Sequence, residues 1–290
     1  MEFAEKYINP LTDFGFKKLF GEEVNKDLLI DFLNELLPEK HKIKSLTYQQ
    51  NEHLPAAEFD RRAIFDLYCE SELGEKFIVE VQRAKQNFFK DRSVYYASFP
   101  IQQQAVKGSN WDFKLSAVYT IGILDFIFEE DKDDFDYIHR VQLKNQRNKV
   151  FYDKLTFIYI ELPKFEKTLE TLETKMEKWL YVFRHLAKLQ NRPVSLQEKI
   201  YEKLFAAAEI AKYSREEREQ YEESLKYYRD IKNVIDTAFE DGELKGKIEG
   251  KIEGKIEERQ AIAKKMKAMD IPFETIVVLT GLSKDEIEKL

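Results

Sequence analysis

The sequence contains few of the residues that build disulfides, zinc sites or membrane spans. Only one of its 290 residues is a cysteine, Cys69, so no internal disulfide can form, and its four histidines lack the spacing of a zinc site. No apolar run approaches the roughly 18 residues that a membrane helix needs. The opening MEFAEKYINP lacks the apolar region of a signal peptide. These absences predict a cytoplasmic protein in a reducing compartment, with no membrane segment.

An excess of positive charge is also missing. Lysine and arginine number 47 against 54 aspartates and glutamates, which gives a formal net charge of −7. Any contact with nucleic acid must therefore come from a local basic patch that acts against the overall field. The G-x-x-x-x-G-K-[ST] pattern of a phosphate-binding loop does not occur.

What the sequence does contain is a pair of β-type segments, 63–69 and 76–82, joined by a turn over 71–75. Both segments alternate polar and apolar residues and are rich in β-branched and aromatic side chains. Gly74 can adopt the positive φ that many turns require. The pattern predicts a β-hairpin.

The register of this hairpin decides where three polar side chains fall. Side chains alternate faces along a strand, and directly opposed residues share a face. A turn centred on Leu73 or on Gly74 therefore places Asp66, Glu80 and Gln82 on one patch. A turn centred between Leu73 and Gly74 would oppose Asp66 to an apolar residue and remove the patch.

Two carboxylates in such a patch would repel each other unless a cation lay between them. Mg²⁺ prefers one or two carboxylates together with water ligands. Glu80 lies inside the apolar run 77–81, where a charge is poorly solvated unless it is paired or bound to metal. The pattern thus indicates a metal site, and the alternative is an ordinary acidic sheet face.

The order Asp66, turn, Glu80-Val81-Gln82 resembles motifs II and III of the PD-(D/E)XK nuclease superfamily. Two further segments, 9–21 (NPLTDFGFKKLFG) and 91–96 (DRSVYY), restrict the resemblance to one branch of this superfamily. Together they resemble the bacterial PD-(D/E)XK nuclease family transposases, or recombination-promoting nucleases, over roughly the whole chain. Gln82 stands where the motif name has lysine.

This resemblance implies a metal-dependent DNA endonuclease associated with transposition or recombination. Mg²⁺, or Mn²⁺, would be held by Asp66, Glu80 and the backbone carbonyl of Val81. Gln82 would orient a water but carries no charge. The charge of the motif lysine would then come from elsewhere, from Arg83 or Lys85, or be absent. The alternative is a catalytically inactive DNA-binding or assembly protein on a nuclease fold, from a decayed mobile element.

Basic residues follow the hairpin closely. We expect Arg83, Lys85 and Arg92 to contact DNA phosphates, because lysine and arginine near a nuclease site neutralise backbone charge. The alternative is ordinary surface charge. In the first segment, we interpret Asp13 and Lys17 as helix-capping and solvated residues. The alternative, which the resemblance implies, is that this segment lies close to the active site.

The remaining pattern over 1–163 predicts a restriction-endonuclease-like α/β core, a mixed sheet flanked by helices. Its further elements are helices over 23–37 and 88–107 and strands over 43–50, 115–124, 137–144 and 155–162. We interpret the acidic run 125–136 as a solvated loop, with a second metal cluster as the alternative.

An all-helical region follows, with 164–240 predicted to pack on the core through helices over 166–190, 195–213 and 215–240. Apolar residues at helical spacing within 166–190, among them Trp179 and Phe183, predict a stripe that belongs to the core. The last part, 241–290, contains the repeat GKIE at 246–257 and a small helical unit with a capping box that begins at Ser283. A four-residue period places the isoleucines of the repeat on a slowly drifting helical stripe. We expect this helix to form a homodimer. The alternatives are a flexible linker and a repeat that arose by replication slippage and has no functional weight.

Overall fold

The computed structural model describes residues 5–49, 65–105 and 112–290. Backbone contacts divide the chain into two compact units, with the boundary between Lys232 and Asn233. The three-part division of the chain given above remains a prediction. No helix among the described ranges is both long enough and apolar enough to cross a membrane.

The described part of the chain contains one sheet and eight α-helices. The strands are β1 (Leu46–Tyr48), β2 (Leu67–Ser71), β3 (Lys76–Gln82), β4 (Val118–Leu124), β5 (Ile138–Lys144) and β6 (Val150–Glu161). The α-helices are α1 (Asp13–Phe20), α2 (Lys26–Leu36), α3 (Phe89–Gln103), α4 (Lys175–His185), α5 (Lys199–Ala208), α6 (Arg215–Ala268), α7 (Phe273–Thr280) and α8 (Lys284–Glu288).

The strand order is β1-β2-β3-β4-β6-β5. The three central strands β3, β4 and β6 run parallel, whereas β2 and β5 pair antiparallel to their inner neighbours. The carboxyl ends of the central strands therefore meet at one edge of the sheet. This mixed sheet with flanking helices confirms the predicted fold class.

Different helices cover the two faces of the sheet. Helices α1, α2, α4 and α5 pack on one face, and α3 packs on the other. The core between the sheet and α1, α2, α4 and α5 is rich in aromatic residues. Phe20 stacks on Phe183 with ring centroids 5.4 Å apart, and the ring centroid of buried Trp179 lies 5.8 Å from that of Phe20. The helical stripe within 166–190 is core, as its spacing predicted.

The β2–β3 ladder pairs Leu67 with Val79 and Cys69 with Phe77. Both pairs are symmetric about Leu73, so the register is one of the two that place the polar side chains together. Gly74 takes a φ of 81° in the turn. The predicted first strand began at 63, and residues 63 and 64 lie outside the described residues.

The C-terminal part is helical, and α6 continues well past the predicted end at residue 240. The GKIE repeat lies inside α6, with its isoleucines about half exposed. Gly281 ends α7 in a left-handed conformation, and the Ser283 side chain accepts a hydrogen bond from the Glu286 amide at the start of α8. The predicted capping box is confirmed.

Candidate functional site

Three residues that the sequence singled out lie together at the carboxyl end of β3. Glu80 and Gln82 are each only 8% exposed and lie on the face that α3 covers. Asp66 comes immediately before β2, and extending the ladder by one residue places it opposite Glu80. Asp66 Oδ2 accepts a 2.7 Å hydrogen bond from the Val81 amide. That bond holds the Asp66 carboxylate against the end of β3.

The Val81 carbonyl points to the same side as its amide. In a strand, the N–H and C=O of one residue point to the same neighbouring strand, and those of the next residue point to the other. Gln82 uses its carbonyl on the β4 side, where it accepts from the Asp125 amide at 2.9 Å. The Val81 carbonyl therefore faces the Asp66 side, at the end of β3 that carries Glu80.

Burial of Glu80 disfavours the charged form of its carboxyl group. The pKa of Glu80 is raised to about 7, mainly by burial and also by the nearby charge of Asp66, while the Arg92 guanidinium opposes this shift. Among the described residues, none donates a hydrogen bond to the Glu80 carboxylate. At neutral pH this group is poised between its neutral and charged forms.

The pKa of Asp66 is also raised, mainly by burial. The Val81 hydrogen bond opposes this shift, the charge of Asp13 adds to it, and Arg83 and Lys17 reduce it. The two carboxylates of the site are thus both desolvated, and each has a different arginine close enough to influence it.

These groups suit a hard divalent cation. Two carboxylates and one backbone carbonyl are oxygen ligands of the kind that Mg²⁺ and Mn²⁺ prefer. A cation between them would remove the repulsion that raises the Glu80 pKa. The donor set of Asp66, Glu80 and Val81 therefore fits the metal that the sequence predicted.

Gln82 is held at both ends of its amide. Its Oε1 accepts from Arg92 Nη2 at 2.7 Å, and its Nε2 donates to the Ala84 carbonyl at 3.0 Å. Sequence reasoning gave this side chain the task of orienting a water. Its geometry instead directs it at the guanidinium of Arg92.

The neighbouring basic residues fall into two groups. Lys85 lies 3.4 Å from Glu129, and Lys90 forms an ion pair with Glu130. The acidic stretch that was interpreted as a solvated loop supplies both of these glutamates.

Arg83 and Arg92 differ from these lysines because they donate hydrogen bonds to neutral oxygen acceptors. Arg83 donates from Nε to the Leu11 carbonyl at 2.8 Å, and Arg92 binds Gln82 and Gln86. Within the ranges that the structure describes, neither arginine has a carboxylate in ion-pair distance.

Asp66 also borders a cleft of about 910 Å³ that local sequence reasoning did not find. The cleft is lined by Asp66 and Arg83 and by residues of α1 and α6, among them Asp13, Lys17, Glu223 and Tyr227. Asp13 and Lys17 form a half-exposed ion pair of 2.9 Å, in agreement with the solvated role predicted for them. The predicted capping role belongs instead to Thr12, whose side chain accepts a hydrogen bond from the Gly15 amide. The charges of Asp13 and Lys17 nevertheless act on Asp66. No local signal in the sequence reveals this proximity.

A second cluster joins Asp131, His139 and Glu161, with ligand atoms within 4.8 Å of one another. The sequence offered a second metal cluster in the acidic run as an alternative, and Asp131 belongs to that run; His139 and Glu161 were not among its candidates, because β5–β6 pairing and not sequence spacing brings them together. Fully buried Glu161 already accepts from the Phe128 amide at 2.6 Å and pairs with Lys164 at 2.7 Å. A lysine ammonium at that carboxylate gives it a structural counter-charge.

Comparison with known proteins gives one result that bears on function. Residues 10–238 match the family model of the PD-(D/E)XK nuclease family transposases. No curated protein and no solved structure matches the chain significantly. The matched segment contains the whole sheet and every residue of the site at the end of β3. The chain therefore belongs to the PD-(D/E)XK nuclease family transposases.

Proposed function

We propose that this protein is a metal-dependent DNA endonuclease of the PD-(D/E)XK type, with a role in transposition or recombination. The observation that supports it most is the desolvated carboxylate pair, Asp66 and Glu80, beside the Val81 carbonyl at the end of β3. Membership of the family makes a nuclease-related function the expectation. The carboxylate pair gives that expectation a chemical basis.

In this proposal Asp66, Glu80 and the Val81 carbonyl hold Mg²⁺ or Mn²⁺. When bound, such a cation polarises a phosphoryl oxygen and lowers the pKa of a water molecule. The Val81 amide keeps the Asp66 carboxylate in place through Oδ2, so that Oδ1 remains for the ligand. Glu80 must lose its proton before it can bind a cation, because only the carboxylate is a metal ligand.

DNA is the proposed substrate, and its phosphates would meet the arginines that lack carboxylate partners. Arg83 lies on the cleft side of Asp66, and Arg92 lies on the α3 side of Glu80. Lys85 is more than half exposed and would exchange Glu129 for a phosphate. These contacts would neutralise backbone charge locally in a protein of net charge −7.

The test is cleavage of supercoiled plasmid by wild type, Asp66→Asn and Glu80→Gln, with Mg²⁺ and with Mn²⁺. Glu70→Gln is the matched control, because Glu70 belongs to the same hairpin but pairs with Lys76. We expect nicking by wild type and by the control, and loss of nicking in both site variants. Equal inertness of all four proteins with both metals would refute the endonuclease.

The second candidate is a catalytically inactive DNA-binding or assembly protein. The observation in its favour is Gln82 in place of a charged motif residue, with both ends of its amide engaged inside the chain. Binding of duplex DNA without cleavage under any metal would support this candidate over the nuclease.

We also propose that the protein is a homodimer that associates through α6. The repeat exposes Ile248, Ile252 and Ile256 at about half of their surface on an otherwise polar helix. Sedimentation of wild type should give twice the chain mass, and Ile252→Lys should give the monomer. A monomeric wild type would contradict the dimer.

A cytoplasmic location, suggested by the lone cysteine, remains part of this proposal.

A further inference from the structure

Arg92 lies beside Gln82 because of how the chain leaves β3. Phe88 adopts a φ of 62°, and α3 begins at the next residue on the Glu80 face of the sheet. One turn into this helix, Arg92 Nη2 reaches Gln82 Oε1 at 2.7 Å, and Nη1 reaches the side chain of Gln86.

Aromatic rings and neutral amide groups surround this guanidinium, and they attract a cation without neutralising its charge. It lies over the rings of Phe89 and Tyr96, with centroid distances of 5.4 Å and 5.7 Å. Its Nε is buried, and no described residue accepts a hydrogen bond from it. Within the described ranges no carboxylate approaches it within 4.0 Å. A partly desolvated cation that is bonded mainly to neutral amides retains most of its attraction for an anion.

We propose that Arg92 is the cationic catalytic residue of this site and that Gln82, in the position of the motif lysine, positions it. This inference rests on the proposed endonuclease function. The guanidinium would donate to a non-bridging oxygen of the scissile phosphodiester, whose negative charge grows as the phosphorus is attacked. The charge of the motif lysine is then carried on α3 and not on β3.

The other basic residues fit this role less well. Lys85 and Lys90 are each paired with a glutamate of the 129–131 segment. Arg83 lies on the opposite face, where it donates to the Leu11 carbonyl and borders the cleft. Only Arg92 among these four contacts Gln82.

The contact between Gln82 and Arg92 predicts how a lysine at position 82 would change activity and stability. If Gln82 merely replaced a lost lysine, Gln82→Lys would raise activity. In this structure the new ammonium would lie against the Arg92 guanidinium in a nearly buried position, and like charges there are destabilising. We therefore expect Gln82→Lys to lower both activity and thermal stability while Arg92 is present.

The experiment compares four variants with wild type: Arg92→Gln, Gln82→Lys, the charge swap Gln82→Lys/Arg92→Gln, and Lys90→Gln. Lys90 lies two residues from Arg92 on the same helix but is paired with Glu130, so it serves as the control. The readouts are kcat and KM for plasmid nicking, the thermal midpoint of the metal-free protein, and duplex affinity measured by fluorescence anisotropy with Ca²⁺.

We expect Arg92→Gln to reduce kcat by about 10²-fold, as for loss of one oxyanion donor, with a smaller change in KM. Duplex affinity should fall by about tenfold, the value of one charge-assisted hydrogen bond. Gln82→Lys should lower the thermal midpoint, and the charge swap should recover the midpoint and part of kcat. Lys90→Gln should resemble wild type in all three measurements.

Three results would overturn the assignment: Gln82→Lys more active than wild type, Arg92→Gln with unchanged kcat and affinity, or a charge swap worse than both single variants. Inert wild type would refute the endonuclease instead. In that case the midpoint of the charge swap and the duplex affinity still decide whether Gln82 holds Arg92 and whether Arg92 meets phosphate.

Discussion

The Val81 amide donates a 2.7 Å hydrogen bond to Asp66 Oδ2, so a side chain and not a strand backbone completes the β2–β3 ladder at its open end. Asp66 lies one residue before β2, where the ladder would otherwise leave the Val81 amide without a partner. One carboxylate oxygen is thereby fixed by the fold, and the Val81 carbonyl lies on the same side. The same bond has a structural role and sets the geometry of the proposed metal site.

Asp66→Asn and Asp66→Ala should separate these two roles. Asparagine keeps an acceptor for the Val81 amide and removes a buried charge, so we expect stability within about 0.5 kcal/mol of wild type, or higher. Alanine leaves a buried donor unpaired and should cost about 1–3 kcal/mol. Urea unfolding of metal-free protein measures both. Equal losses in the two variants would argue against the Val81 hydrogen bond.

Glu80 should make the stability of the metal-free protein depend on pH. Folding raises its pKa from 4.5 to about 7, so the folded state binds the proton more tightly than the unfolded state. The contribution of protonated Glu80 to the free energy of unfolding is fully present below the unfolded pKa. It is lost as the pH rises through about 7, and the loss is at most about 3 kcal/mol. Denaturation midpoints at about pH 5 and about pH 8 measure the loss, and Glu80→Gln should show less of it. An unchanged pH dependence in that variant would contradict the burial of this charge.

Metal affinity should increase over the same pH range. A cation must displace the proton from Glu80, so we expect Mn²⁺ affinity to rise about tenfold between about pH 6 and about pH 8. Calorimetry of wild type measures the affinity. Glu80→Gln and Asp66→Asn should bind Mn²⁺ far more weakly, whereas Glu70→Gln should bind it as wild type does. Retained binding in Glu80→Gln would locate the metal elsewhere, and the Asp131–His139–Glu161 cluster would be the next site to examine.

Two glycines should respond to alanine in opposite directions. A Cβ at Gly15 in α1 would lie 2.0 Å from the Asn9 carbonyl oxygen, so Gly15→Ala must move backbone, and we expect a loss of about 3 kcal/mol or more. A Cβ at Gly250 in α6 would meet nothing within 4 Å, and alanine is the better helix former by about 1 kcal/mol. Circular dichroism during urea unfolding measures both changes. A Gly15→Ala protein as stable as wild type would contradict the close packing of α1.

The sequence by itself determined which residues share a face and where regular elements form. Period-two alternation brings Asp66, Glu80 and Gln82 together for a turn centred on Leu73 or on Gly74, because the pleat of a strand fixes side-chain direction locally. The choice of Leu73, over the centre that would remove the patch, came from the β2–β3 ladder. The aromatic stripe around Trp179 and the Ser283 capping box were equally readable. The same local reasoning predicted one helix over 215–240 and a separate helix that bears the repeat, whereas α6 runs without a break from Arg215 to Ala268.

Only the tertiary structure decided what surrounds the carboxylates. Arg92 lies ten residues after Gln82, yet its contact depends on the turn at Phe88 and on the docking of α3 against the sheet. Asp13 and Lys17 reach Asp66 only because α1 and α6 border the same cleft. Local backbone geometry sets a period along the chain, but the distance between separate segments, and with it the pKa of Glu80, follows from how the elements pack.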